Sequence, residues 1–490
     1  MKEKHQKTLL KGTGVFGIVE ILRLILRLVY NKFASLLLGA SGVGLLGLID
    51  NATQLISSFS SFGIYVTGIK EISAHRKNPS EFGRKAKSVH YFSVFSGFLA
   101  AIISLIFASW LSRLTFNSSD YIIWFAFLSI YFVANGFTQS KTILLESIQE
   151  INKLLKINLI INFFNSVIAI FSYYYWGKTG IIIATILNSL FSLFLYLLKT
   201  KNMIPKVEVS NKELLADFKK LIFSGSVIAS NVVIGFVCYF VIRYFFKNNE
   251  SLSILGLYNV GITILSSYLG MLFTAMSKIF FPKLSQAVSN KEDVIGLVNN
   301  QLEICLLIIF PIILFVYIFN EPLIHLLFSK EFSLVSDILI FGLASTIFKS
   351  FNYVAGYLIL SHNNYKQYFF INAVSDIFNV IFTISFYKIW GLLGIGISLL
   401  LNYVMLGIYM FFYTRKIYSF RLNQINKKLL FLGILSIALI ILIHFWLNIY
   451  FFYGVSVVLF IIFVLYSLNS ISKYFFDGTL KNMIKDKFKG

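Results

Sequence analysis

The chain has 490 residues, of which 57% are hydrophobic and 13% charged, with a formal net charge of +22 and a mean hydropathy of +0.78. Soluble globular proteins carry roughly 25% charged residues, so composition excludes an ordinary soluble enzyme and a disordered chain. Apolar runs of about 20 residues, without the period-two alternation of a barrel strand, leave an all-α polytopic membrane protein.

Fourteen transmembrane helices are predicted, at roughly 12–32, 43–66, 89–109, 121–140, 157–176, 179–198, 221–246, 254–281, 299–320, 336–360, 368–389, 391–413, 429–448 and 450–470. The first is the most informative. It is apolar and long enough to span, yet carries Glu20, Arg23 and Arg27 at i, i+3 and i+7, all on one helical stripe. A charge at mid-bilayer costs about 2.5–3.5 kcal/mol on insertion scales. That stripe must therefore line a protein interior or a watery cavity. Arg23 and Arg27 then either contact an anionic substrate or form a structural cluster with Glu20 and the carbonyls of neighbouring helices.

Lysine and arginine crowd one set of loops: the N-terminal arm, Lys70–Lys87, Lys199–Lys220, Arg415–Lys428 and the tail from Lys473. The opposite loops are sparse. The positive-inside rule places both termini in the cytoplasm and accounts for most of the net charge, so nucleic acid is not expected as a partner. Cys238 and Cys305 both fall in predicted spans, which argues against a disulfide framework.

The chain also repeats itself. The stretch from Leu46 to Phe59 aligns without a gap with Leu255 to Tyr268, and Trp176-Gly-Lys-Thr-Gly-Ile181 aligns with Trp390-Gly-Leu-Leu-Gly-Ile395. At the same spacing of 214 positions, Asn158, Asn165, Tyr173 and Asn188 match Asn372, Asn379, Tyr387 and Asn402. Two six-helix lobes are expected, residues 1–200 and 201–414, entering the membrane from the same side as a parallel repeat. Residues 415–490 add a linker, an appended helical hairpin and a basic cytoplasmic tail.

No Walker loop, HExxH or nucleophile elbow is present, so neither catalytic nor metal-binding residues are assigned and no cofactor is expected. The remaining charges inside spans are candidates for a polar lumen. Lys349 either lines it or pairs with Asp376. Arg243, near the end of its span, either faces it or snorkels to the interface. Asp50 matches Asn259 in the repeat, and a polar group at both places fits a lumen position or a hydrogen bond between helices. If transport is coupled to H⁺ or Na⁺, the coupling carboxylate is expected among Glu20, Asp50 and Asp376.

Several stretches resemble a known family. Leu38-Gly-Ala-Ser-Gly-Val-Gly-Leu-Leu-Gly-Leu48 with Ser57-Ser58 and Phe62-Gly-Ile64, and Leu255-Gly-Leu-Tyr258 followed by Pro282-Lys-Leu-Ser285, look like the O-antigen-type polysaccharide flippases of the multidrug/oligosaccharidyl-lipid/polysaccharide exporter superfamily. The likeness extends over essentially the whole chain, and Arg23 and Arg27 match that family's cationic lumen residues on its first helix. It implies a flippase in the bacterial plasma membrane, not an enzyme. The implied substrate is an undecaprenyl-pyrophosphate-linked oligosaccharide, moved outward by alternating access for surface polysaccharide, including lipopolysaccharide, biosynthesis. The resemblance also names a polysaccharide polymerase and a chain-length regulator as candidate partners. A multidrug extruder and a lipid II flippase of the same superfamily are the alternatives. A membrane glycosyltransferase or polymerase is disfavoured, because no sizeable extramembrane loop carries catalytic carboxylates.

Overall fold

The structure is a computed structural model describing residues 2–76, 78–116, 119, 122–201, 203, 207, 209–446 and 449–476; the side chains of 2–21, 114–116, 151, 227, 228, 231, 278, 279, 449 and 471–476 are not among those described. Among the described residues it is almost wholly helical and holds no strand. The chain divides into two compact units, Met1–Gly256 with Leu327–Ser329, and Leu257–Leu326 with Lys330–Gly490.

The first unit contains α1 (Lys2–Ser61), α2 (Ile64–Ala74), α3 (Pro79–Ile106), α4 (Ala108–Phe116), α5 (Ile122–Ser147), α6 (Ile151–Trp176), α7 (Gly180–Lys199), α8 (Asn211–Asn249) and the start of α9 (Leu252–Ile262). Its core is apolar: Leu45, Ile49, Phe125, Leu128, Phe132, Ile181 and Ile182 are nearly inaccessible where α1, α5 and α7 meet. Local sequence sets the helix starts. Asn78 accepts from the amides of Ser80 and Glu81 ahead of Pro79. Ser210 and Glu213 form a reciprocal capping box at α8, where the Ser210 amide and hydroxyl hold the Glu213 carboxyl below its ordinary pKa. The first turns of α8 are pinned to α3 by a buried ion pair: Lys85 Nζ lies 2.5 Å from Asp217 Oδ1, and Ser88 donates to Asp217 Oδ2 at 2.9 Å. A buried charge is tolerated only when paired and hydrogen-bonded in this way.

The second unit contains the rest of α9, a π-helical turn over Thr263–Tyr268, α10 (Gly270–Asn290), α11 (Val294–Ile318), α12 (Asn320–Leu327), α13 (Val335–Ser361), α14 (Tyr365–Tyr418), α15 (Gln424–Trp446) and α16 (Ile449–Phe476). In its most apolar window α13 is 78% buried and α16 only 17%, so α13 is the central helix and α16 an outer one. The α15–α16 hairpin packs on α11, with the Phe310 and Phe463 rings 5.2 Å apart. Asn299 of α11 secures the linker before it. Its side chain donates to the Arg421 carbonyl and accepts from the Asn423 amide, both at 2.9 Å.

Eleven helical segments among the described residues are long and apolar enough to span a membrane. The sequence suggests about fourteen because Gly39 and Gly391 read as breaks between spans. In the structure each is a single residue with non-helical backbone at positive φ, 65° and 59°, and divides α1 and α14 respectively into two helices, so each of these long segments counts once among the eleven. Helical bonding resumes at once on the far side of each kink. The 39-residue α8, also predicted to span, is not among the eleven.

The repeated Trp-Gly segments adopt the same backbone. Gly177 (φ 53°, ψ −129°), between α6 and α7, has its counterpart in Gly391 (φ 59°, ψ −138°). Three residues on, a Cβ on Gly180 would meet the Ser172 carbonyl oxygen at 2.2 Å, and one on Gly394 would meet that of Phe386 at 2.0 Å. Ser172 and Phe386 are also equivalent positions. Left-handed geometry followed by a carbonyl in van der Waals contact requires glycine at both places.

Candidate functional site

Within the first unit, α1, α2, α5, α6 and α7 enclose a cavity of about 540 Å³. Its wall is polar for a helix bundle this apolar. Asn135, Thr138, Gln139 and Thr142 come from α5, Asn158 and Asn165 from α6, and Thr185, Asn188, Ser189 and Ser192 from α7. Five tyrosines join them: Tyr30, Tyr65, Tyr131, Tyr173 and Tyr196. Asp50 is the only carboxylate among the described lining residues, and no lysine or arginine is among them.

The helical repeat explains the arrangement. On α7, residues 181, 184, 185, 188, 189 and 192 recur at i, i+3, i+4, i+7, i+8 and i+11, one continuous stripe facing the cavity. Hydrogen bonds brace two corners. The Tyr30 and Tyr173 hydroxyls are 2.8 Å apart, joining α1 to α6, and the Tyr196 hydroxyl donates to Asn158 Oδ1 at 2.8 Å, joining α7 to α6. Asn158 is thus a bond between helices. The amide oxygens of Asn165 and Asn188 differ: both are buried and accept no hydrogen bond from the described protein.

Of the residues singled out from the sequence, four gather at this cavity. Asp50 lines it and is solvent-accessible there despite lying in an apolar span. It is within electrostatic reach of Arg243 of α8 and Arg27 of α1. Arg27 also bears on Tyr30, and Arg23 on Tyr196, so the two arginines of α1 flank the cavity wall, one turn apart. Arg243 packs over the Tyr239 ring at 5.6 Å, a cation–π contact. The side chain of Glu20 lies outside the described residues.

Lys349, Asp376 and Asn259 are in the second unit. Lys349 Nζ sits 5.7 Å from the Tyr403 ring centroid, and among the described residues no ion pair joins it to Asp376. Asp376 bears electrostatically on Tyr403 and Tyr368. Asn259 is buried, and its carbonyl accepts from Thr263 Oγ1 at 2.8 Å. No group of three or more metal-ligating side chains is found among the described residues. The sequence alone does not assign the tyrosines, threonines and unbonded asparagines of the cavity to a site. A signal is present in the α7 stripe, where Thr185, Asn188, Ser189 and Ser192 share one face of an otherwise apolar helix.

The described residues thus form a kinked helical bundle with a polar cavity among apolar segments long enough to span a membrane. Residues 35–337 match the family model described as "Polysaccharide biosynthesis protein", and the chain belongs to that family. Solved structures with the same fold include the lipid II flippase MurJ in its inward closed conformation, with a TM-score of 0.70, 14% identity, and 94% of this chain and 99% of that one covered. An inward-facing MATE-family multidrug resistance transporter of the MOP superfamily gives a TM-score of 0.67 at 13% identity, over 81% of this chain and 98% of that one. A mutant form of the Vibrio cholerae MATE transporter VcmN gives 0.57 at 14% identity, over 83% and 99%. A search of curated proteins finds no match.

Proposed function

We propose that this protein is a flippase for an undecaprenyl-pyrophosphate-linked oligosaccharide, carrying the repeat unit from the cytoplasmic to the outer leaflet of the bacterial plasma membrane by alternating access. Membership of a polysaccharide biosynthesis family and a fold like those of lipid flippases and multidrug transporters support a role in transport. The observation that carries the substrate is that Arg27 and Arg243 both act electrostatically on Asp50, which lines a polar cavity inside a hydrophobic bundle. A guanidinium stays charged when partly buried, holds phosphate oxygens in pairs, and offers enough donors to serve a phosphate and a carboxylate together. A pyrophosphate cannot cross hydrocarbon without such company. Asp50 keeps the arginines oriented and partnered when substrate is absent. Lumen roles for Arg23, Lys349, Asp376, Asn259 and Glu20, and coupling to H⁺ or Na⁺ through a carboxylate, belong to the same reading. So do both termini in the cytoplasm and assembly with a polymerase and chain-length regulator.

A drug extruder selecting organic cations would call for acidic groups where this cavity is flanked by arginines. The test is Arg27→Ala and Arg243→Ala in the producing cell. Each should lower surface glycan at least tenfold at unchanged protein abundance, and Arg→Lys should keep part of it. Normal glycan in the double variant would remove the pyrophosphate from the reading.

A further inference from the structure

The repeat makes it possible to ask what each buried asparagine was given to bond. In the second unit, Asn402 of α14 pairs with Ser375, its Nδ2 donating to Oγ at 3.2 Å. Thr383 Oγ1 lies 3.1 Å from Ser398 Oγ and donates to Asn379 Oδ1 at 3.5 Å. All five residues are buried, and their polar groups bond one another. Shifted by 214 positions, the asparagines become Asn188 and Asn165, but Ser375, Thr383 and Ser398 become Ile161, Ala169 and Ala184. The first unit keeps the amides and replaces the neighbours that would satisfy them with apolar groups. Two of those groups, Ile161 and Ala184, line the cavity themselves.

We propose that this cavity is a saccharide subsite, with Asn165 and Asn188 as specificity-determining groups that hydrogen-bond sugar hydroxyls. The inference rests on the flippase reading and adds where the glycan, as distinct from the pyrophosphate, is held. Three observations converge on it. The amide oxygens of Asn165 and Asn188 are buried without a protein donor, and a buried acceptor left without its bond is costly. The described lining offers amides and hydroxyls, which donate and accept as sugar hydroxyls do, and tyrosines, which present an apolar face with a polar tip. Its volume of about 540 Å³ falls in the ~300–1,000 Å³ range of ligand pockets. The arginines flank this wall rather than line it, so a neutral polyhydroxylated group inside and an anionic group at the flank describe one ligand.

The test uses the full chain in lipid nanodiscs and two kinds of probe: undecaprenyl pyrophosphate alone, and the same lipid carrying neutral hexose or N-acetylhexosamine disaccharides. The readout is the ratio of the two dissociation constants, which a smaller folded fraction does not move. The wild-type chain should bind at least one glycosylated probe about tenfold more tightly than the bare lipid. Asn165→Ala with Asn188→Ala should bring that ratio to about one and leave bare-lipid affinity unchanged, whereas Arg27→Ala should weaken both probes alike. If the double variant keeps the wild-type ratio, or the wild-type ratio is near one across the panel, the subsite is wrong while the flippase reading stands. If the wild-type chain binds neither probe, both fall.

Discussion

The α6–α7 pair of the first unit and the two halves of α14 in the second, divided at Gly391, are two versions of one hairpin. The backbones agree: Gly177 and Gly391 turn with the same sign and nearly the same angles, and Gly180 and Gly394 each approach the carbonyl eight residues earlier. The side chains diverge. In α14, Ser375 bonds Asn402 and Thr383 reaches Asn379, and all of these residues are buried. In α6–α7, isoleucine and alanine stand at those positions, and a cavity lies along the stripe. A duplicated fold can thus keep its structural glycines and assign the same amides to rigidity in one copy and to a ligand in the other.

The largest effect should come where the copies agree. Gly180→Val and Gly394→Val each drive a side chain into a backbone carbonyl already in contact, and overpacking of this kind costs about 1–3 kcal/mol. Both variants should lower thermal stability in detergent by a similar amount. A large loss for one and none for the other would break the structural equivalence of the hairpins.

A smaller and opposite pair of effects should appear where they differ. Hydrogen bonds between membrane helices average about 0.6 kcal/mol and reach about 1.7. Asn402→Ala removes one and leaves Ser375 without that partner, so it should destabilise by about 1 kcal/mol with little effect on glycan export. Asn188→Ala removes no protein bond at its oxygen and should leave melting nearly unchanged while lowering export. Melting and export measured on both variants decide the matter, and the comparison fails if the two move together.

The parts visible in the sequence are those that mark it with unusual residues. Charges in an apolar helix stand out, so Arg23, Arg27, Asp50 and Arg243 can be singled out from the residues alone, although whether they meet depends on how α1 and α8 pack. Glycine at positive φ leaves a motif, so the Trp-Gly repeat is legible. Gly39 and Gly391 likewise read as span boundaries, and both carry the non-helical backbone that divides α1 and α14 into two helices. The cavity is hidden for a different reason. Asparagine, threonine and tyrosine are ordinary in membrane helices as links between them, and Asn158 is one. What distinguishes Asn188 is the residue opposite, Ile161 in place of serine, and that shows only when the copies are aligned and their contacts known. The family match, over residues 35–337, covers Asp50 and Arg243 but not Arg23, Arg27, Lys349 or Asp376.

One substitution tests the divergence most directly. Ile161→Ser restores at the cavity the residue that Asn402 meets in the other copy. If the backbones are as alike as Gly177 and Gly391 indicate, the new hydroxyl falls within reach of the Asn188 amide, as Ser375 does for Asn402. The protein then gains a hydrogen bond worth about 0.6 kcal/mol in a helix bundle, but loses the burial of an isoleucine side chain worth about 1.5–3 kcal/mol, so stability to melting should fall by about 1–2 kcal/mol. Function should change as well, in a ratio that a smaller folded fraction does not move. An Asn188 amide occupied by the introduced serine has less to offer a sugar hydroxyl, and the preference for glycosylated over bare polyprenyl pyrophosphate should fall severalfold. Ala184→Ser, which recreates the neighbour at Ser398, should push the same way by less, because Ser398 bonds Thr383 rather than the asparagine directly. An unchanged preference in Ile161→Ser, with the serine bonded to Asn188 in a structure of the variant, would mean that this amide is structural in both copies.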